Sequence, residues 1–174
     1  EEKSAYAHLY VKDRQGLYPG YPDPKTKKLI LTESIIDATS LLQIEEITKE
    51  YSILACYGTE GVKEQFAAIK ELEELEEVIF TFDGDDSGRE GMEQKGKELK
   101  YLRPEIKLKK VDLPEGEDVN SLYIKDKEAL QSYFIFSSER GAVPVKASAL
   151  LSAGTTCSAD TVRLYVLDTS NPRS

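Results

Sequence analysis

Between residues 28 and 135 the chain alternates short apolar runs with stretches in which apolar residues recur every three or four positions. The first pattern is that of a buried strand and the second that of an amphipathic helix. Leu29-Ile30-Leu31 opens the series as a strand, and residues 35–49 follow with Ile36, Leu41, Leu42, Ile44 and Ile47 at near-helical spacing. Ser52 to Cys56 is a second short strand, closed by Gly58. Thr59 is a suitable N-cap for a helix to about Leu75, with Val62, Phe66, Ile69 and Leu72 on one stripe. Val78-Ile79-Phe80-Thr81-Phe82, β-branched or aromatic throughout, is the strongest strand in the chain. A helix from Ser87 to Leu102 ended by Pro104, a strand from Ile106 to Leu113, and helices over 119–124 and 127–135 complete the series.

Strand and helix alternating in this way predict an α/β fold, a mostly parallel sheet with helices on both faces. Ligands in such sheets bind beyond the carboxyl ends of the strands. Outside this unit the pattern is weaker. Residues 1–27 read as a partly irregular extension, with a strand-like run from Tyr6 to Val11 and then Gly16, Pro19, Gly20, Pro22 and Pro24. Residues 137–174 are rich in Ser, Ala, Gly and Thr and contain one strand-like run, Val162 to Leu167. The expected division is an extension over 1–27, the α/β unit over 28–136, and a linker or the start of a further unit over 137–174. The first residues, Glu1-Glu2-Lys3 without a Met, suggest an excised fragment or a processed terminus.

A chain of 174 residues, 40% hydrophobic and 32% charged, suits one soluble globular core. No stretch approaches the roughly 18 apolar residues of a membrane span, and no basic start followed by an apolar run reads as a secretory signal. Cys56 and Cys157 with a single histidine, His8, leave no structural zinc site to expect, and two reduced thiols in a cytoplasmic protein are the better reading. The balance of 23 basic and 32 acidic residues, net −9, argues against gripping nucleic acid by bulk charge. It does not exclude a nucleic-acid enzyme whose carboxylates hold metal ions, because bound cations reverse the local field.

Two short acidic segments fall at strand ends. In FTFDGDDSGREG (80–91) a hydrophobic strand runs into Asp83-Gly84-Asp85, where a period of two would put both carboxylates on one side. Oxygen ligands at the mouth of a sheet suit Mg²⁺, and Gly88 opens a helix whose N-terminus attracts phosphate. The plainer alternative is a solvated acidic turn capping that helix. A calcium loop is disfavoured, because the downstream Glu it needs is absent. In LILTESIIDA (29–38), Glu33 sits just past a strand and Asp37 lies one helical turn later. Here too a structural role is available: Thr32 or Ser34 can cap the helix, and Glu33 can favour its dipole.

Together the two segments resemble the signature of the Toprim family, a strand-end Glu followed, after a βα spacer, by a strand-end Asp-x-Asp. The resemblance spans residues 28–125 and is closest to the DnaG-type DNA primases. DGDDSGRE is similar to a primase segment with Ala at the position of Ser87. ACYGTEG (55–61) and VDLPEGEDVNSL (111–122) resemble two further primase runs. Two departures are Ser34, where the family has Gly, and Asn120, where it has a second Asp.

The resemblance implies Mg²⁺ or Mn²⁺ held by Glu33, Asp83, Asp85, Asp118 and Asn120, of which Glu33, Asp83 and Asp85 are catalytic. Glu33 would be a ligand or the general base, and Asp37 would orient Glu33 or a metal-bound water. Gly88 and Arg89, less so Lys63, are candidate phosphate contacts. The implied activity is primer synthesis on single-stranded DNA from nucleoside triphosphates, with a replicative helicase engaged through domains outside this chain. Another Toprim enzyme, a nuclease or topoisomerase, and a non-catalytic Toprim nucleic-acid-binding module are the alternatives.

Overall fold

The computed structural model describes residues 16–58, 63–83, 85–131, 134 and 163–166. The features expected at Tyr6 to Val11, Thr59 and Val62 lie outside them. The order of elements is β1 (Lys28–Thr32), α1 (Ile35–Leu42), α2 (Glu45–Glu50), β2 (Ser52–Ala55), α3 (Lys63–Glu71), β3 (Glu77–Thr81), α4 (Asp86–Leu102), β4 (Lys107–Asp112), α5 (Val119–Lys125) and β5 (Arg163–Val166). The chain is helical again over 127–131.

These strands form one sheet in the order β2-β1-β3-β4-β5. β1, β2, β3 and β4 are parallel, and β5 closes the β4 side antiparallel, Lys110 opposite Tyr165. Residues 163–166 of the strand-like run expected at 162–167 therefore belong to this sheet. It lies within the segment expected to be a linker or the start of a further unit.

Continuous apolar runs such as Leu29-Ile30-Leu31 and Val78-Ile79-Phe80 are what a strand buried on both faces requires. Leu29, Leu31, Val78, Phe80 and Leu108 pack beneath Phe66 and Ile69 of α3 and Met92 and Leu99 of α4. Ile30, Ile53, Ile79 and Val111 face Ala38 and Leu41 of α1, Ile47 of α2, Val119 of α5, and Leu130 and Phe134. The helices thus cover both faces. The connection from β1 goes to β2 on one side, and that from β2 crosses to β3 on the other, so a crevice opens between β1 and β3 at their carboxyl ends.

The helix expected over 35–49 is two helices. Ile44 breaks it, extended at φ −103° and ψ 99° as the residue before α2. The break rotates α2 so that Ile44 and Ile47 are both buried with Leu41. Ile36, counted with the apolar stripe, is instead 62% exposed. Spacing alone does not reveal on which side of such a break a residue falls.

Near the amino ends of the strands a charged pair lies inside the fold. Lys109 is 3% exposed, and its Nζ is 2.7 Å from Oε2 of Glu77, itself buried at the start of β3. Removing one member of a buried pair leaves the other without its main compensation. Glu77→Ala is expected to lower stability by about 3 kcal/mol in denaturant melts, and replacing both residues with apolar ones by clearly less. Equal losses in the single and double variants would contradict this account.

Candidate metal centre

Thr32 pairs with Thr81, so the residues that follow β1 and β3 emerge side by side. Glu33 comes next after Thr32, and Asp83 lies two residues past Thr81. The Asp83 N–H donates to Glu33 Oε2 at 3.2 Å. Below them the Thr81 hydroxyl donates to the Leu31 carbonyl at 3.2 Å. On the other side of β1, the Cys56 and Gly58 N–H groups donate to the Thr32 and Glu33 carbonyls at 2.9 and 2.8 Å. That turn needs left-handed backbone at Tyr57 (φ 56°) and Gly58 (φ 95°). Glycine adopts it freely and tyrosine does not. The sequence marked Gly58 as the end of a strand and part of the ACYGTEG run; its role in bracing Glu33 depends on which strand lies beside β2.

Burial, with neighbouring negative charge added, raises the proton affinity of Glu33 and Asp83. Burial pushes the Glu33 carboxyl above its ordinary range, the Asp83 N–H partly opposes this, and the charges of Asp85 and Asp37 add to it. Burial, followed by the charges of Glu33, Asp37, Asp118 and Asp85, lifts the Asp83 carboxyl to about 7. The neighbouring thiol of Cys56 is pushed up to about 12, mainly by burial, and stays protonated at neutral pH.

Two of the expected ligands also cap helices. Asp85 is the N-cap of α4, its Oδ1 accepting from the Gly88 N–H at 2.7 Å. Asp118 is the N-cap of α5, its Oδ1 accepting from the Ser121 N–H at 2.6 Å while the Ser121 hydroxyl accepts from the Asp118 N–H. One oxygen of the Asp85 carboxylate is thus turned onto its own helix. Asn120 directs its side-chain oxygen at the Ser40 hydroxyl, 3.0 Å away. Asp37 accepts from the Ser34 hydroxyl and the Asn120 N–H rather than from anything on Glu33.

Gly88 gives its N–H to Asp85, and its missing side chain has a packing reason. A Cβ there would stand 2.4 Å from the Asp83 carbonyl oxygen. The Arg89 side chain lies outside the described residues, and Lys63 is exposed at the start of α3.

Among the described residues, no three acidic, imidazole or thiolate side chains are close enough together to hold an ion between them. Mg²⁺ does not require that, because it keeps several waters and takes one or two carboxylates. The Glu33–Asp83 pair, partly buried, oxygen-bearing and raised in proton affinity first by burial and then by neighbouring negative charge, fits such an ion.

The Toprim-like family model matches residues 30–123, and the chain belongs to that family. No curated protein sequence matches it significantly. Similar solved structures include the primase fragment of the bacteriophage T7 primase-helicase protein, 23% identical over 63% of this chain and 44% of that one, TM-score 0.49. The zinc-binding and RNA polymerase domains of the Aquifex aeolicus primase are also similar, 24% identical over 63% of this chain and 25% of that one, TM-score 0.48. The chain spans less than half the length of either. No helix among the described residues is long and apolar enough to cross a membrane.

Two outcomes are expected. Gly88→Ala forces apart the start of α4 and the Asp83 backbone, at about 1–3 kcal/mol in equilibrium unfolding; an unchanged midpoint would show that the close approach relaxes freely. The second is a pH dependence. With Asp83 raised to about 7 in the fold, the folded chain binds more protons than the unfolded chain from roughly pH 4 to 7, so stability falls as pH rises through that window. In chelator, the chain should melt higher at pH 5 than at pH 8, and Asp83→Asn should shrink the difference. A melting temperature that rises from pH 5 to pH 8 would refute the sign.

Proposed function

We propose that this chain is the catalytic core of a DnaG-type DNA primase, a metal-dependent nucleotidyltransferase that builds RNA primers on single-stranded DNA during replication. The observation carrying the metal half is the Glu33–Asp83 pair at adjacent strand ends, with Asp83 lifted to about 7 by burial and four neighbouring carboxylates. The primase half rests on the resemblance of DGDDSGRE, ACYGTEG and VDLPEGEDVNSL to primase segments, within a chain of the Toprim-like family.

In this reading Glu33 and Asp83 hold Mg²⁺ or Mn²⁺, and Asp85 and Asp118 add negative potential from their helix caps. When bound, the ion offsets charge developing at the α-phosphate of a nucleoside triphosphate and lowers the pKa of the attacking 3′-hydroxyl. In the alternative in which Glu33 stands off the ion, its raised proton affinity would suit it to take that hydroxyl's proton. The Asp83 N–H on Oε2 fixes the direction in which the Glu33 carboxylate faces. Asn120, with its oxygen engaged by Ser40, contributes through the fold of the α5 turn. A net charge of −9 leaves the template track to basic surfaces elsewhere in the parent protein, where contacts with a replicative helicase would also lie.

Metal titration tests this reading. A ligand that binds only the folded state raises the melting temperature by mass action. Millimolar Mg²⁺ or Mn²⁺ is expected to raise that of the wild-type chain and leave the Asp83→Asn/Asp85→Asn double variant almost unmoved. The variant should still fold, because Asn caps a helix about as well as Asp. An unresponsive wild type would leave a non-catalytic nucleic-acid-binding module as the better reading.

A further inference from the structure

Asp37, in the first turn of α1, is 2% exposed, and both of its oxygens are engaged. Oδ2 accepts from the Ser34 hydroxyl at 2.6 Å, and Oδ1 accepts from the Asn120 backbone N–H at 3.0 Å. Ser34 Oγ in turn accepts from the Asp37 N–H at 3.1 Å, which locks the residue to its own helix cap. Ser40 Oγ, three residues further along α1, lies 3.0 Å from Asn120 Oδ1 and 3.0 Å from the Ile36 carbonyl, which share its one proton. Asn120 is therefore held to α1 at both its backbone and its side chain.

This junction fixes something the sheet cannot. The register Thr32↔Thr81 sets Glu33 against Asp83, but β4 is separated from β1 by β3. The loop from Leu113 to Asp118 must therefore be brought to the site by contacts of its own. Asp118 is tied into the first turn of α5 by its bond to the Ser121 N–H, so whatever holds that turn places Asp118 as well.

We infer that Asp37 is a positioning residue, whose carboxylate clamps the first turn of α5 to α1 and so sets Asp118 against Glu33 and Asp83 without touching metal or substrate. The part concerning metal affinity rests on the proposed metal site; the clamp itself does not. An ionised carboxylate is a stronger acceptor than a neutral amide. An amide oxygen at position 37 nevertheless still accepts from the Asn120 N–H, whereas alanine does not.

The test compares the whole 174-residue chain with Asp37→Asn and Asp37→Ala by amide hydrogen exchange at Asn120 and by Mn²⁺ calorimetry. Losing a hydrogen bond to a charged group corresponds to a factor on the order of ten or more, so Asp37→Ala should speed Asn120 exchange and weaken Mn²⁺ by about tenfold. Asp37→Asn should stay within about threefold of wild type in both measurements, the residual being its weaker acceptor. Ser40→Ala, which loosens Asn120 while leaving Asp37 intact, should speed the same exchange and serves if Asp37→Ala fails to fold. Wild-type exchange in Asp37→Ala or Ser40→Ala would overturn the clamp. So would an Asp37→Asn variant that loses Mn²⁺ as fully as Asp37→Ala while Asn120 exchange stays slow, since that pattern marks a charge or ligand role. A wild type that binds no Mn²⁺ would sink the metal reading alone and leave the clamp to be judged by exchange.

Discussion

The parallel pairing of β1 with β3, Thr32 opposite Thr81, is the contact on which the site depends. Side chains alternate along a strand, so a slip of one residue would carry Glu33 away from Asp83 and also turn Leu29 and Leu31 toward the wrong layer of helices. Leu29, Ile30 and Leu31 are buried on both sides of the sheet and leave no room for that slip. Apolar packing in the middle of the sheet thereby holds two acids together at its edge, in the crevice where the chain reverses its direction of travel across the sheet.

That proximity is costly in the absence of a cation, and the fold spreads the cost unevenly. Asp85 and Asp118 each accept a backbone N–H at the start of a helix, where the dipole favours negative charge. Asp37 is compensated by a hydroxyl and an N–H. The Asp83 N–H is used to steady Glu33. Burial, then neighbouring charge, lifts the Asp83 carboxyl to about 7, and burial raises Asp37 as well despite its hydrogen bonds. Burial and neighbouring charge thus both disfavour the ionised acids at the ends of β1 and β3, a cost that a bound ion would offset.

Much of this was legible in the sequence because the governing signals are local. Unbroken runs such as Val78 to Phe82 mark strands buried on both faces, and the acids fall where those runs stop. Local signals fail where partners are distant. Asp37 and Asn120 are joined only in the folded chain, and so are Glu77 and Lys109, whose charges in isolation suggest an exposed surface. Position 44 is another such case, since Ile44 fits a continuous helix by spacing and breaks it by burial. The acidic letters carry a deeper ambiguity. An Asp that caps a helix and an Asp that holds an ion favour the same place, just before a helix N-terminus, and Asp85 satisfies both descriptions.

That coincidence bears on how an acidic chain could serve a polyanionic substrate. On the proposed reading, the carboxylates repel nucleic acid and triphosphate alike until a cation reverses the field at the strand ends. One first-turn backbone N–H of α4 and one of α5 are already given to Asp85 and Asp118. A cation at the strand ends would favour phosphate there, and ion and substrate binding would then be thermodynamically linked. Linkage is reciprocal, so a triphosphate that binds better in the presence of metal must raise metal affinity by the same factor. A weak ion site built around two carboxylates then suffices, because the second half of its coordination arrives with the substrate.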